Sequence, residues 1–237
     1  MIEGASNLTY DVPHLRSRVV IQDTGVRVGY WRSVSHALNA FAFESFIDEL
    51  ALAAKRDSLG FRTALLGSQP RQKAVLERVA TMAGWGQDAA DERALGLASM
   101  ECYGTHVAMA AEVSRQGEKV RCERICVAVD PGIAIRPDQI EAQIQSAVIT
   151  GLMGALSNRI TIKDGRVQET NFHQFQPLRM SLTPRIEVTI MASGDAPGGM
   201  GEVGTPLVAP ALANALARLN GKRVRQLPFS AAGVVFV

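Results

Sequence analysis

The sequence predicts an α+β fold of antiparallel sheets with packed helices, and three observations predict it. Helix-periodic and strand-alternating segments are segregated rather than interleaved as a doubly wound sheet would need. Tight turns at Gln116-Gly117-Glu118 and Lys163-Asp164-Gly165 join β-rich runs in the manner of hairpins. Gly84 and Gly221 follow apolar helical stretches as left-handed stops.

The elements follow in order. Ser17–Gln22 and Gly25–Tyr30 are β-rich and separated by the turn residues Asp23-Thr24. A helix capped by Ser35 is expected to run to about Arg56, with Phe43, Phe46, Ile47, Leu50 and Ala54 recurring at helical spacing. A second covers Pro70–Ala83 with Val75, Leu76, Val79 and Met82 inward. Residues 85–95 read as a polar loop. Strands are expected over Gly96–Val113 and Lys119–Val129, ending at Asp130-Pro131-Gly132. A third helix spans Asp138–Ser157, with Ile140, Ile144, Ala147 and Val148 on one face. Ile186–Met191 alternates as a half-buried strand does. A last helix is expected from Pro206 to Asn220.

At 237 residues one large domain or two small ones are possible. The chain is read as a single domain over 1–237, with 85–95 as the best internal boundary. A net charge of +2, with no basic cluster interleaved with aromatics, excludes an obvious nucleic-acid groove. No apolar run approaches the roughly 20 residues of a membrane span. The first residues have neither a basic nor an apolar leader region, so a cytoplasmic protein is expected. Cys102, Cys122 and Cys126 fit no disulfide framework, and Cys122 and Cys126 lack a second pair to complete a metal site. They read as ordinary thiols of a reducing compartment.

Four places are candidates for chemistry. In Gly198-Gly199-Met200-Gly201-Glu202-Val203-Gly204-Thr205-Pro206, one carboxylate sits among glycines that let a backbone approach a ligand. Glu202 is either a general base pointing into a pocket or an acidic cap on the following helix. Gly199, Gly201 and Gly204 match G-x-G-x-x-G spacing, but no dinucleotide-binding unit surrounds them. Trp31-Arg32-Ser33 lies at a strand-to-helix junction, where free N–H groups and the Arg32 fork suit an anion. Gln143 is a polar residue on the third helix. His14, His36, His106 and His173 fit no ligand pattern and are assigned no role.

Together these segments resemble the molybdenum-cofactor-binding large subunit of the xanthine oxidase and aldehyde oxidoreductase family, most closely its isoquinoline 1-oxidoreductase β-subunit type. The resemblance runs almost the whole length. It rests on Ile2-Glu3-Gly4-Ala5, Trp31-Arg32-Ser33-Val34, Glu44-Ser45-Phe46-Ile47-Asp48-Glu49-Leu50-Ala51, Val129-Asp130-Pro131-Gly132-Ile133, Asn171-Phe172-His173, the Gly-Glu turn and Ala209-Pro210-Ala211-Leu212-Ala213-Asn214-Ala215. It implies part of a molybdopterin-binding domain and hydroxylation of an aldehyde or aromatic N-heterocycle with water-derived oxygen. Glu202 matches the family's glutamate that takes the proton of the metal-bound hydroxyl. Trp31, Arg32, Ser33, Gln143 and Gly201 stand where the family contacts its cofactor.

The sequence departs from the family in two ways. Gln145-Ser146-Ala147 follow Gln143 where members often have Glu-Gly-Gly. Family subunits are several times longer, and their Gly-Gly-Gly-Phe-like and Met/Leu-Gly-Gln-Gly cofactor segments are not found. The resemblance therefore implies either a companion chain that carries the missing half and shares the molybdopterin-type cofactor, or a chain that is itself a piece or a decayed fragment of such a subunit. It also implies a small iron–sulfur subunit with [2Fe–2S] clusters, since this chain lacks their Cys₄ spacing. The alternative is a non-catalytic module of the same fold that binds a pterin or another small molecule.

Overall fold

The computed structural model describes residues 3–87, 92–175 and 177–237. Its elements are α1 (His36–Ala53), α2 (Ser58–Ala64), α3 (Pro70–Ala83), β1 (Arg93–Cys102), β2 (Thr105–Gln116), β3 (Lys119–Asp130), α4 (Pro137–Leu156), the short hairpin β4 (Ile162–Lys163) and β5 (Arg166–Val167), β6 (Arg185–Ile190) and α5 (Val208–Asn220). No described helix is long and apolar enough to cross a membrane.

Four strands form one sheet in the order β1-β2-β3-β6. The fold is α+β, as expected, but the sheet is mixed. β1, β2 and β3 are antiparallel, whereas β6 runs parallel to β3, pairing Arg124 with Arg185 and Val129 with Ile190. The return path between parallel strands needs a crossover, and α4 supplies it. The expected single run Gly96–Val113 is broken at Tyr103-Gly104, where both residues take positive φ and turn the chain into a hairpin. Of the expected boundary at 85–95, residues 88–91 lie outside the described residues, and Arg93 already pairs with Ser114.

Alternate strand residues face opposite ways. Val107, Met109, Ala111 and Val113 face α4 and α5, while Ala108 and Ala110 join Val75, Leu76 and Val79 of α3 on the other face. Close approach fixes the first face. A Cβ on Gly96 would lie 2.1 Å from the Ala211 carbonyl oxygen, so α5 rests directly on β1. Gly96→Ala is expected to push α5 off the sheet and cost about 3 kcal/mol, the upper end for overpacking. A denaturant midpoint unchanged from the parent would refute that.

Both helix stops hold: Gly84 and Gly221 end α3 and α5 in left-handed conformation. The inward faces expected for α3 and α4 are also found, with Met82 half-buried. α1 differs. Its buried face carries Glu44 and Asp48 beside Ala40, Ile47 and Ala51, while Phe46 is 52% exposed and Leu50 also faces out. These carboxylates go inward because a wholly buried Arg62 on α2 meets them. Arg62 Nε donates to Glu44 Oε2 at 3.1 Å and Nη1 to Asp48 Oδ1 at 3.3 Å. Ser35 does not cap α1; its hydroxyl donates to Glu3 Oε2 at 2.9 Å. Ser17–Gln22 and Gly25–Tyr30 form no strands and pair with no described strand, because a lone β-rich segment needs a neighbouring edge.

At the end of β3, Asp130 ties the turn to α3 and to the segment after β6. Arg71 Nε donates to Asp130 Oδ2 at 2.7 Å, and the Gly132 N–H and Ser193 hydroxyl donate to Oδ1, both at 2.9 Å. Burial alone would raise the Asp130 carboxyl, but these donors outweigh it and hold it down to about 2. A depressed carboxyl stabilises the fold above its unfolded value and loses that contribution as pH falls through its folded one. We expect unfolding midpoints to drop between about pH 4 and 2. Asp130→Asn should flatten that drop in a urea titration repeated across pH.

Candidate active site at the Gly-Glu turn

The Gly-rich segment lies between β6 and α5, pressed onto the β1–β2 turn. The Gly199 N–H donates to the Tyr103 carbonyl and the Gly198 N–H to the Pro131 carbonyl, both at 2.8 Å. A Cβ on Gly198 would sit 2.4 Å from Thr105 Oγ1, and one on Gly204 would crowd Ala147 of α4. Gly201 differs, since a Cβ there would meet open space. Its neighbours fix the backbone, and Gly201 leaves room for something outside the chain.

Glu202 is not a helix cap. α5 begins at Val208, well beyond the first-turn positions where a dipole acts on a side chain. The Glu202 carboxylate instead accepts the Ser33 backbone N–H at 2.8 Å, across 169 residues of sequence. Ser33 and Val34 both hold left-handed φ, 76° and 51°. That conformation costs a non-glycine residue of order 1–3 kcal/mol and persists only where surroundings enforce it. Here it aims the Ser33 N–H at Glu202. Burial and then the facing Glu202 carboxylate push the Tyr103 hydroxyl above its usual range, so it stays protonated there.

Arg32 assembles the rest. Its Nε donates to the Gly201 carbonyl at 3.0 Å, Nη1 to Ser146 Oγ at 2.9 Å and Thr150 Oγ1 at 3.2 Å, and Nη2 to Gln143 Oε1 at 2.9 Å. Arg32, Ser33, Gln143, Gly201 and Glu202, chosen from sequence, are thus brought together. Arg32 has a different place from the expected anion fork, because its donors engage α4 and the Gly-Glu turn. Ser146, one of the departures from the expected pattern, is one of its acceptors. Gln143 remains on an exposed face but gives its oxygen to Arg32. Trp31 turns from the carboxylate and packs its ring over Gly154 of α4.

Beside Trp31 opens a groove of about 670 Å³. Apolar side chains dominate it, among them Tyr30, Leu38, Ile160 and Phe175. It does not include Glu202. Sequence assigns His36 no role and gives no signal for Tyr103, yet their rings lie 4.7 Å apart under the turn. His36 is buried and its Nδ1 has no partner among the described residues, as is true of Ser33 Oγ. Nothing local signals either, because the contacts join residues far apart in the chain.

The cysteines sit elsewhere. An extra residue at Glu123 bulges β3, so Cys122 faces the α4–α5 side and Cys126 the α3 side. Four residues apart on a regular strand they would share a face; here they cannot grip one ion. Burial pushes the Cys122 thiol up to about 12 and the Cys126 thiol up to about 11. Among the described residues no group of three or more His, Cys, Asp and Glu side chains is placed to hold a metal.

The profile of the molybdopterin cofactor-binding domain matches residues 48–184. The chain belongs to that family. Gln143 lies inside the matched span, while Arg32, Ser33, Gly201 and Glu202 lie outside it. The chain is 36% identical over 230 residues to the beta subunit of isoquinoline 1-oxidoreductase from Brevundimonas diminuta, which covers 95% of this chain and 29% of that protein. It is 31% identical over 251 residues to a membrane-bound aldehyde dehydrogenase (pyrroloquinoline-quinone) of Gluconacetobacter polyoxogenes, covering 95% and 32%. It is 29% identical over 246 residues to one subunit of the nicotinate dehydrogenase of Pseudomonas putida, covering 95% and 21%. The chain thus spans less than a third of these relatives' own length. In fold it is similar to the aldehyde oxidoreductase of Desulfovibrio gigas, with a TM-score of 0.65 at 11% identity over 84% of this chain and 40% of the other. The aldehyde oxidoreductase of Desulfovibrio desulfuricans gives 0.66 at 13% identity, with the same coverage.

Proposed function

We propose that this chain is the portion of a molybdenum hydroxylase that supplies the general base, Glu202. The observation that carries this is the Ser33 N–H bond to one Glu202 oxygen, made by a strained turn that Arg32 locks to the Gly-Glu segment. The residues fit an oxygen-rich, anionic pterin cofactor. Ser33 Oγ is a buried polar atom without a partner among the described residues, and Gly201 leaves open space beside the carboxylate. Ser33, the outward amide N–H₂ of Gln143 and the Gly201 backbone would hold the cofactor's edge, with Trp31 packed behind them and Arg32 keeping the cradle in shape. When bound, that group supplies the oxygen-transfer and two-electron chemistry.

This chain's own work is proton transfer and orientation. One carboxylate oxygen accepts the Ser33 N–H and the Tyr103 hydroxyl faces the same group, which orients the carboxylate to accept the proton when water-derived oxygen is delivered to an electron-poor carbon. A base held in place by a backbone donor needs no reorganisation in the reaction. Aldehydes and aromatic N-heterocycles are the substrate class, in line with the names of the relatives. A companion polypeptide supplies the remaining cofactor contacts, and a small iron–sulfur subunit with [2Fe–2S] clusters takes the electrons. The reading treats 1–237 as one unit and places the complex in the cytoplasm, where its three buried thiols suit a reducing compartment.

The competing reading is a non-catalytic pterin- or small-molecule-binding module. Its support is that Arg32 is held by protein acceptors and needs no ligand to stay in place. Metal content separates the two. Molybdenum in the purified complex is expected to fall to background when either chain is omitted. Full molybdenum in this chain alone would overturn the shared site, and none in the complex would leave only the binding module.

A further inference from the structure

We propose that residues 17–30 are a strand-forming arm that completes a sheet with a β-strand of the companion polypeptide. This rests on the reading that the chain works with a companion. The pattern Ser17-Arg18-Val19-Val20-Ile21-Gln22 is β-branched on both faces, which suits a strand covered on both sides rather than an edge. The second run, Gly25-Val26-Arg27-Val28-Gly29-Tyr30, follows a turn in which the Gly25 N–H donates to Asp23 Oδ1 at 2.8 Å. In this structure the arm forms no regular secondary structure and is uncovered: Val20 is 88% exposed, Ile21 92%, Val28 89% and Tyr30 82%. No backbone hydrogen bond joins residues 13–30 to another backbone group of the described residues.

Contiguous exposed valine and isoleucine mark an interaction surface. A row of unpaired backbone N–H and C=O groups is a template for another strand. The arm also runs into the apolar groove of about 670 Å³, whose first wall is Gly29, Tyr30 and Trp31. Arm and groove thus form one continuous face. The length of the relatives bears on what covers it. They match this chain over 95% of its length, yet that match is only 29%, 32% and 21% of theirs, so in them this surface belongs to a far longer protein. The arm carries Arg16, Arg18 and Arg27 at and beside the strands against one acidic residue, Asp23. The strand that pairs with it is therefore apolar with acidic flanks.

The test is amide hydrogen exchange on two samples: the isolated chain, and the complex purified from its native host through a tag on this chain. The companion is identified by mass as carrying the outstanding length of the relatives. We expect fast exchange over 17–30 in the isolated chain and slowing of at least about tenfold in the complex. The double variant Val20→Ser with Ile21→Ser should leave the isolated chain's melting unchanged and weaken association by about tenfold or more. A complex whose arm exchanges as fast as the free arm would overturn the pairing while leaving the shared active site standing. Recovery of this chain without a companion would overturn both. Concentration-dependent protection of the arm in the isolated chain would assign the pairing to a second copy and overturn it too.

Discussion

Glu202→Gln in the assembled complex is expected to lower turnover by about 10²-fold or more, the usual scale for a lost general base. The substitution keeps the side chain's size and an oxygen for the Ser33 N–H, which now donates to the carboxylate at 2.8 Å. The turn's geometry, the bound molybdenum and the melting temperature should therefore stay at parent values. Only the capacity to take a proton is removed. Steady-state turnover with an aldehyde and with an aromatic N-heterocycle, alongside metal analysis of the same sample, reads both sides of the claim. Turnover at the parent rate would remove Glu202 from the chemistry. Loss of molybdenum together with activity would make it a structural residue of the cradle.

Arg32 shows that the proposed base does not stand alone. It joins the turn before α1 to α4 and to the Gly201 carbonyl, contacts that span 111 to 169 residues. Burial, opposed by the Glu202 carboxylate, lowers its guanidinium from the ordinary value, though such a group stays charged at any working pH. Its hydrogen bonds tie the strained Ser33-Val34 turn to the Gly201 carbonyl beside Glu202. A lysine ammonium lacks the planar fork that reaches these acceptors together.

The parts of this fold legible in the sequence are those set by short-range chemistry. Gly84 and Gly221 mark helix ends because a left-handed residue is needed there. Ile140, Ile144, Ala147 and Val148 mark a buried face because a helix repeats every 3.6 residues. The Gly-Glu turn stood out because a lone carboxylate among glycines is chemically unusual. What was not legible depends on distant partners. The parallel pairing of β6 with β3 has no local signal. Ser17–Gln22 reads as a strand and pairs with no described strand, because pairing depends on an edge that no local pattern supplies. In α1 the apolar period favours Phe46 and Leu50, yet Glu44 and Asp48 are the residues that go in. Their cation lies on another helix, and no periodicity within α1 can announce it.

That cation yields the largest expected loss of stability. Arg62 is wholly buried, and besides Glu44 and Asp48 it donates to the Glu44 carbonyl at 2.9 Å and to Ser58 Oγ. Tyr10 donates to Glu44 Oε1 at 2.7 Å, and the Ser99 N–H to Oε2 at 3.0 Å. Arg223 Nη2 reaches Asp48 Oδ2 at 2.5 Å while its Nη1 reaches Asn214 Oδ1 at 2.7 Å. The network thus binds the N-terminal segment, α1, α2, β1 and α5 to one buried guanidinium. Burial would lower the Arg62 pKa, but Glu44, Tyr10 and Asp48 outweigh it and raise it. Arg62→Met keeps most of the volume, leaves Glu44 buried without its counter-ion and leaves Asp48 to Arg223 and Arg218, which costs about 3–5 kcal/mol. Urea unfolding of the isolated chain at neutral pH measures it. The same variant made with Glu44→Gln and Asp48→Asn should recover much of the loss, because the uncompensated charge, not the missing contact, is the cost. Arg62→Met within about 1 kcal/mol of the parent would show that water or Arg223 satisfies both carboxylates. The consequence reaches the candidate active site, since α1 starts at His36, directly after the strained turn that aims Ser33 at Glu202. Loosening the buried face of α1 releases that turn, so the Arg62 variant should lose turnover in the complex at temperatures where its fold is still intact.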